Sequence, residues 1–169
     1  MKNIKGNLFD QQCDAICITT NGFVKANGEC VMGRGCAQEA VKRWPGIDKT
    51  LGTLIHLSGN IVQIIGINIK YKIVAFPVKP TTARFNGNNA VRHMASKFTI
   101  GELIPGWAAK AMPSIIENSA QELLTLANEC NWQRIVLPRP GCGAGELKWS
   151  EIEPMLQNIL DDRFEAITF

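Results

Sequence analysis

At 169 residues the chain has the length of one domain and is long enough to bury a core without staples. Its 46% apolar and 20% charged residues are those of an ordinary soluble protein. No run approaches a membrane span and Met1 to Lys5 leads into a folded pattern without an apolar leader, so the expected address is cytoplasmic, with no membrane contact.

The net charge of +3 is unevenly spread. From Lys49 to Gly101 there is no Asp or Glu, while Lys49, Lys70, Lys72, Lys79, Arg84, Arg92 and Lys97 give seven positive charges, leaving −4 on the remainder. This 49–101 stretch is expected to face something anionic, such as a nucleotide or a nucleic acid. The six cysteines form no C-x-x-C pair, and only His56 and His93 could join them, so no metal site is expected and most thiols should be reduced. Cys142 lies in a glycine loop, but no base partner for a nucleophile can be identified.

In chain order, Asn3 to Phe9 reads as an edge strand and Asp14 to Thr19 as a buried one, because its apolar residues are nearly continuous. After Thr20-Asn21-Gly22 comes a polar segment. Cys30-Val31-Met32-Gly33-Arg34-Gly35 then opens a helix running to about Trp44, where Pro45-Gly46 stops it. Leu51 to Leu57 and Ile61 to Ile65, separated by Ser58-Gly59-Asn60, read as a hairpin. Ile73 to Pro77 is a further strand, and Lys79 sits just past its end, where ligand-contacting residues collect in open α/β sheets. Thr81 to Gly106 has no clear period and reads as a partly helical insertion.

From Pro113 to Cys130, Ile116, Ala120, Leu123, Ala127 and Cys130 recur at helical spacing, which predicts an amphipathic helix on a sheet. A strand from Arg134 to Pro138 follows, then Pro140-Gly141-Cys142-Gly143-Ala144-Gly145. A last helix reaches about Leu160, with Ser150 and Glu153 as a capping box and Ile152, Met155, Leu156 and Ile159 as its apolar face. Ala166 to Phe169 should be a terminal strand. The order predicts a three-layer α/β/α domain with a mixed central sheet. Strand, glycine loop and helix in succession is the arrangement that cradles phosphate on backbone amides. Two such loops could face one ligand from opposite sides.

Three motifs fall in order: Gly6-Asn7-Leu8-Phe9 with Asp14-Ala15-Ile16, Val31 to Ala37, and Leu137 to Trp149. Together they resemble a macrodomain, the ADP-ribose-binding fold, over nearly the whole chain apart from an 80–106 insertion. Phe76-Pro77-Val78-Lys79, Trp107 and Asn118 to Leu123 look like the branch containing the terminal ADP-ribose protein glycohydrolase and the bacterial antitoxins that remove ADP-ribose from DNA.

The resemblance implies a single macrodomain over 1–169 and a monomer, with ADP-ribose as ligand or product and no cofactor. It implies that Gly141, Cys142, Gly143, Ala144 and Gly145, after Pro140, wrap the diphosphate, and that Met32, Gly33, Arg34 and Gly35 close over the distal ribose. Asn21 would hydrogen-bond the distal ribose hydroxyls, although Asn-Gly equally suits a plain turn. Asn7, beside Leu8, stands where the family usually reads adenine with an acidic residue. Lys79 matches the lysine that acts at the anomeric carbon. Gly145 stands where the protein glycohydrolase keeps an aspartate, so the antitoxin-like pair Asn21 and Lys79 is the better match; Glu146 could substitute only if the backbone turns it inward.

The implied activity is removal of ADP-ribose from a modified macromolecule, a nucleic acid being one choice. Alternatives are phosphate removal from ADP-ribose 1''-phosphate and a non-catalytic nucleotide-binding module. A dinucleotide oxidoreductase is disfavoured, since a G-x-G-x-x-G beginning at Gly141 would end on Glu146.

Overall fold

The computed structural model describes residues 1–168. Its strands in chain order are β1 (Lys2–Lys5), β2 (Ala15–Thr20), β3 (Gln63–Ile67), β4 (Lys72–Pro77), β5 (Thr82–Arg84), β6 (Leu103–Pro105), β7 (Ile135–Pro138) and β8 (Phe164–Thr168). The helices are α1 (Gly35–Arg43), α2 (Ile47–Ser58), α3 (Arg92–Ala95), α4 (Pro113–Glu129) and α5 (Trp149–Ile159). Six strands form one sheet in the order β1-β8-β7-β2-β4-β3, and β5 pairs with β6 separately. All pairings in the main sheet are parallel except β3 with β4, which makes the sheet mixed.

Alternate residues of the central strands enter two cores. Ala15, Cys17, Val74, Phe76, Ile135 and Leu137 pack on α4 and α5, while Ile16, Ile18, Ile73, Ala75 and Val136 pack on α1 and α2. A strand buried on both faces must be apolar at every position, which is why β2 reads as an unbroken run. Each large side chain so enclosed contributes roughly 1.5–3 kcal/mol. The result is the expected α/β/α sandwich, with the parallel strands β2, β4 and β7 ending along one rim.

Several local expectations need correction. Leu51 to Leu57 is helical, not a strand: α2 turns Leu51, Leu54 and Ile55 to the core and leaves Leu57 exposed, an i, i+3, i+4 pattern. Pro45-Gly46 therefore separates two helices, and Gly59 ends the second, its amide donating to Ile55 O at 2.8 Å. The first strand stops at Lys5. Leu8–Asp10 forms a 3-10 turn capped by Asn7, whose Oδ1 accepts from Phe9 N at 3.0 Å. The capping box on α5 is absent, since the helix starts one residue earlier and Glu153 Oε1 instead accepts from Asn3 Nδ2 and Gln157 Nε2. Cys130 is exposed beyond the end of α4 rather than on its buried face. Phe169, the end of the expected terminal strand, lies outside the described residues.

The segment read as an insertion is partly helical, as expected, through the single turn α3. It also contains the β5–β6 ribbon and a small core of Phe85, Ala90, Ile104 and Ala109, with Phe98 packed 6.0 Å from Phe85.

Candidate functional site

Thr20, Pro77 and Pro138 end β2, β4 and β7 on the same rim, where the amides and carbonyls of a parallel sheet run out and ligands enter. The loops leaving these strands enclose a cavity of about 520 Å³. Lys79 forms part of its wall. The preceding residue is pinned on both sides, Val78 N donating to Thr20 O at 3.0 Å and Met112 N to Val78 O at 2.9 Å. Asn60 Nδ2 holds the Lys79 carbonyl at 3.0 Å. Ser119 of α4 donates to Pro77 O at 2.8 Å, so the end of β4 is tied to the helix behind it.

The Lys79 side chain is only 7% exposed, and its Nζ donates to Ala144 O at 3.0 Å and to Trp107 O at 3.2 Å. Burial pushes its pKa down to about 8; Glu146 counters the shift and Arg34 adds to it. Near pH 7 the group is thus mostly an ammonium, with two hydrogens committed to carbonyls and a third free to meet a ligand. Above pH 8 a nucleophilic amine becomes the main form.

The loop after β7 is shaped by close contact as well as by the positive φ of Gly141, at 74. A Cβ on Gly141 would meet Ala111, Ile116 and Leu147 at 2.9 Å, and Gly145 is tighter still, its virtual Cβ lying 2.5 Å from Gly141 O. Leu147 N donates to Gly141 O and Glu146 N to Gly143 O, each at 3.0 Å. The amides of Gly143, Ala144 and Gly145 make no hydrogen bond among the described residues, and all three residues line the cavity, so they can receive an anion. Pro140 and Cys142 do not line it. The Cys142 side chain packs on the α4–α5 core, its Sγ donates to Pro140 O at 3.4 Å, and burial pushes its thiol pKa up, which is the opposite of an activated nucleophile.

Opposite stand Met32, Gly33, Arg34 and Gly35, all lining the cavity, with α1 beginning at Gly35, so that the positive end of the helix dipole lies at the cavity wall. Asn21 also lines the cavity, yet its amide is largely occupied: Nδ2 donates to Val31 O at 2.7 Å and Oδ1 accepts from Phe23 N at 2.9 Å. One N–H and one lone pair remain for a ligand. The loop it braces lies on α2, where Gly52 packs directly against the Gly28 carbonyl and has no room for a side chain.

No family model and no curated protein matches the sequence. Solved structures do match its fold. The macrodomain of Mycobacterium tuberculosis DarG superposes with a TM-score of 0.71 at 20% identity, covering 98% of this chain and 95% of that one. The macrodomain of Thermus aquaticus DarG gives 0.70 at 19% identity, covering 99% and 97%. Thermosipho africanus DarTG in complex with ADP-ribose gives 0.68 at 14% identity, covering 98% of this chain and 41% of that one.

The chain has the macrodomain fold.

In this macrodomain a second cavity, about 410 Å³, adjoins the first, and Gly35, Cys36 and Pro138 border both. Asn7 and Leu8 line the second cavity, well separated along the sheet from Lys79. The two sets of residues expected at opposite ends of a ligand therefore lie in adjoining hollows.

Other lining residues were not anticipated. Val91, His93 and Met94, from the 80–106 segment, form a wall of the first cavity, and Arg139 lines it while stacking over Trp149 at 5.0 Å. In the second cavity Glu39 and Arg43 join Cys36 on one face of α1, a spacing of three and four visible in the sequence. The insertion offered no such period.

The basic stretch is not one surface. Lys70 and Lys72 lie at the end of β4 away from Pro77, and Lys79 is buried, while Arg84, Arg92 and Lys97 are exposed on the 80–106 segment.

Proposed function

We propose that this macrodomain binds ADP-ribose across the two adjoining cavities and hydrolyses its link to a modified macromolecule. The observation that carries the reading is the placement of Lys79, buried at the wall of the cavity between the two glycine loops, with Ala144 O and Trp107 O fixing its ammonium. The unengaged amides from Gly143 to Gly145 suit the diphosphate, and the hollow at Asn7 and Leu8 suits the adenine end. Likeness to the Thermosipho DarTG structure, which holds ADP-ribose, supports that ligand.

In the reaction, water's oxygen bonds to the anomeric carbon of the distal ribose as the glycosidic bond breaks. The Lys79 ammonium gives its proton to the departing atom, and the amine so formed takes up the proton released by the attacking water. Asn21 positions the ribose hydroxyls with its remaining N–H and lone pair. A nucleic acid is the favoured carrier, because Arg84, Arg92 and Lys97 stand on the insertion that walls the cavity.

ADP-ribose at 100 times its dissociation constant should stabilise the protein by about 2.7 kcal/mol; the absence of any melting shift would remove the reading. Incubation with ADP-ribosylated DNA and with ADP-ribosylated protein then tests hydrolysis. A non-catalytic binder is favoured by one observation, that Lys79 and Asn21 both spend hydrogen bonds on the protein itself. Binding without release from either substrate would establish it.

A further inference from the structure

Glu146 has φ 62, and among the described residues the only other non-glycine with positive φ is Asn131, at φ 54. Asparagine tolerates this left-handed region; glutamate is held there only where its surroundings over-determine it. Two contacts do so. Its amide closes the glycine loop on Gly143 O, and its Oε1 accepts from Arg92 N at 2.9 Å, at the start of α3 in the insertion. Its Oε2 is buried, makes no hydrogen bond, and carries charge that acts through space on Lys79.

Lys79 makes a second tie beside it. Its ammonium joins Ala144 on the glycine loop to Trp107 just beyond the insertion's ribbon. The glycine loop is therefore tied through an anion to Arg92, within the 80–106 segment, and through a cation to Trp107, one residue past it, and Val91, His93 and Met94 form cavity wall beside them.

We propose that Glu146 is a positioning residue, whose carboxylate latches the 80–106 insertion to the glycine loop so that the Lys79 ammonium is held against the ligand. The inference rests on the proposed reaction for that last clause alone; the latch is a property of the free protein. Glycine would meet this φ without strain, so the backbone turn alone does not call for a glutamate; the placement of its carboxylate, bonded to Arg92 N and with Oε2 buried, does. Of the charged groups around Lys79, Arg34 opposes its charge and Arg139 and His93 line the same cavity; Glu146 is the anion that favours it.

Two variants test this. Glu146→Gly suits the backbone and removes both the latch and the charge; Glu146→Gln keeps an acceptor for Arg92 N and removes the charge alone. Hydrogen exchange over residues 92–95 should speed up about tenfold or more in Glu146→Gly and stay near wild type in Glu146→Gln. NMR titration of the Lys79 side chain should show it losing its proton at lower pH in both variants. Release of ADP-ribose should fall about tenfold in kcat for Glu146→Gly, with the ADP-ribose melting shift retained. Unchanged exchange in Glu146→Gly, or a Lys79 titration unmoved in Glu146→Gln, would overturn the proposal. If wild-type protein neither bound nor released ADP-ribose, the proposed function would fall, while exchange and titration would still decide the latch.

Discussion

Gly145 lies so close over Gly141 that a Cβ on it would sit 2.5 Å from the Gly141 carbonyl oxygen and 2.6 Å from Ala111 Cβ. The loop thus excludes every side chain at the position where the resemblance to the protein glycohydrolase would set an aspartate. Gly145→Asp should therefore fail as a gain of function. It should cost about 1–3 kcal/mol through overpacking and abolish the ADP-ribose melting shift. Chemical denaturation with and without ligand checks both, and a variant of wild-type stability would contradict the packing argument.

Lys79 gives two opposite pH dependences. Hydrolysis that uses its ammonium should decline as pH rises through about 8, where burial places its pKa. Stability should move the other way. The folded pKa is lowered from the ordinary lysine value of 10.5, so between about 8 and 10.5 the unfolded chain binds more protons and this group makes stability rise with pH. Lys79→Met should remove that rise and stop turnover. Rates and denaturation midpoints across pH 6 to 10 provide the comparison.

Asn21 serves two backbone groups with opposite polarity. In Asn21→Asp the carboxylate could still accept from Phe23 N but would oppose the Val31 carbonyl, which now receives Nδ2 at 2.7 Å. The expected loss is about 1–3 kcal/mol, with weaker ADP-ribose binding as the 22–33 loop loosens. A calorimetric titration showing unchanged affinity would place the Asn21 amide outside ligand positioning.

Charge reversal on the insertion separates the carrier from the nucleotide. Arg84→Glu with Lys97→Glu should raise KM for ADP-ribosylated DNA and flatten its salt dependence, and leave free ADP-ribose binding unchanged. An equal KM for DNA in the double variant would point to a different carrier.

The central features were legible because each rests on local chemistry. Unbroken apolar runs marked β2, β4 and β7, alternate glycines marked the loop after β7, and Lys79 stood just beyond a strand end. What escaped depended on distant partners. The run Leu51 to Leu57 fits helix and strand alike over so few residues, and the pocket for Leu51 between α1 and the sheet decided it. Ser150 and Glu153 had the capping spacing, yet Asn3 from the neighbouring β1 claimed the glutamate. The turn of Glu146 toward Arg92 required a positive φ that its residue type argues against, and its side-chain partner lies 54 residues away.

The contact between Gly52 and the Gly28 carbonyl has a consequence for how binding strength is distributed over the protein. The rim residues Met32 to Gly35 belong to a loop bedded on a helix that lines neither cavity, and the bed is shaped by one missing methyl group. Under the proposed function, affinity would therefore be tuned, or lost, from α2 as well as from the cavity. A survey confined to cavity residues would overlook α2 altogether, although a single carbon added at Gly52 must lift the loop that closes the site.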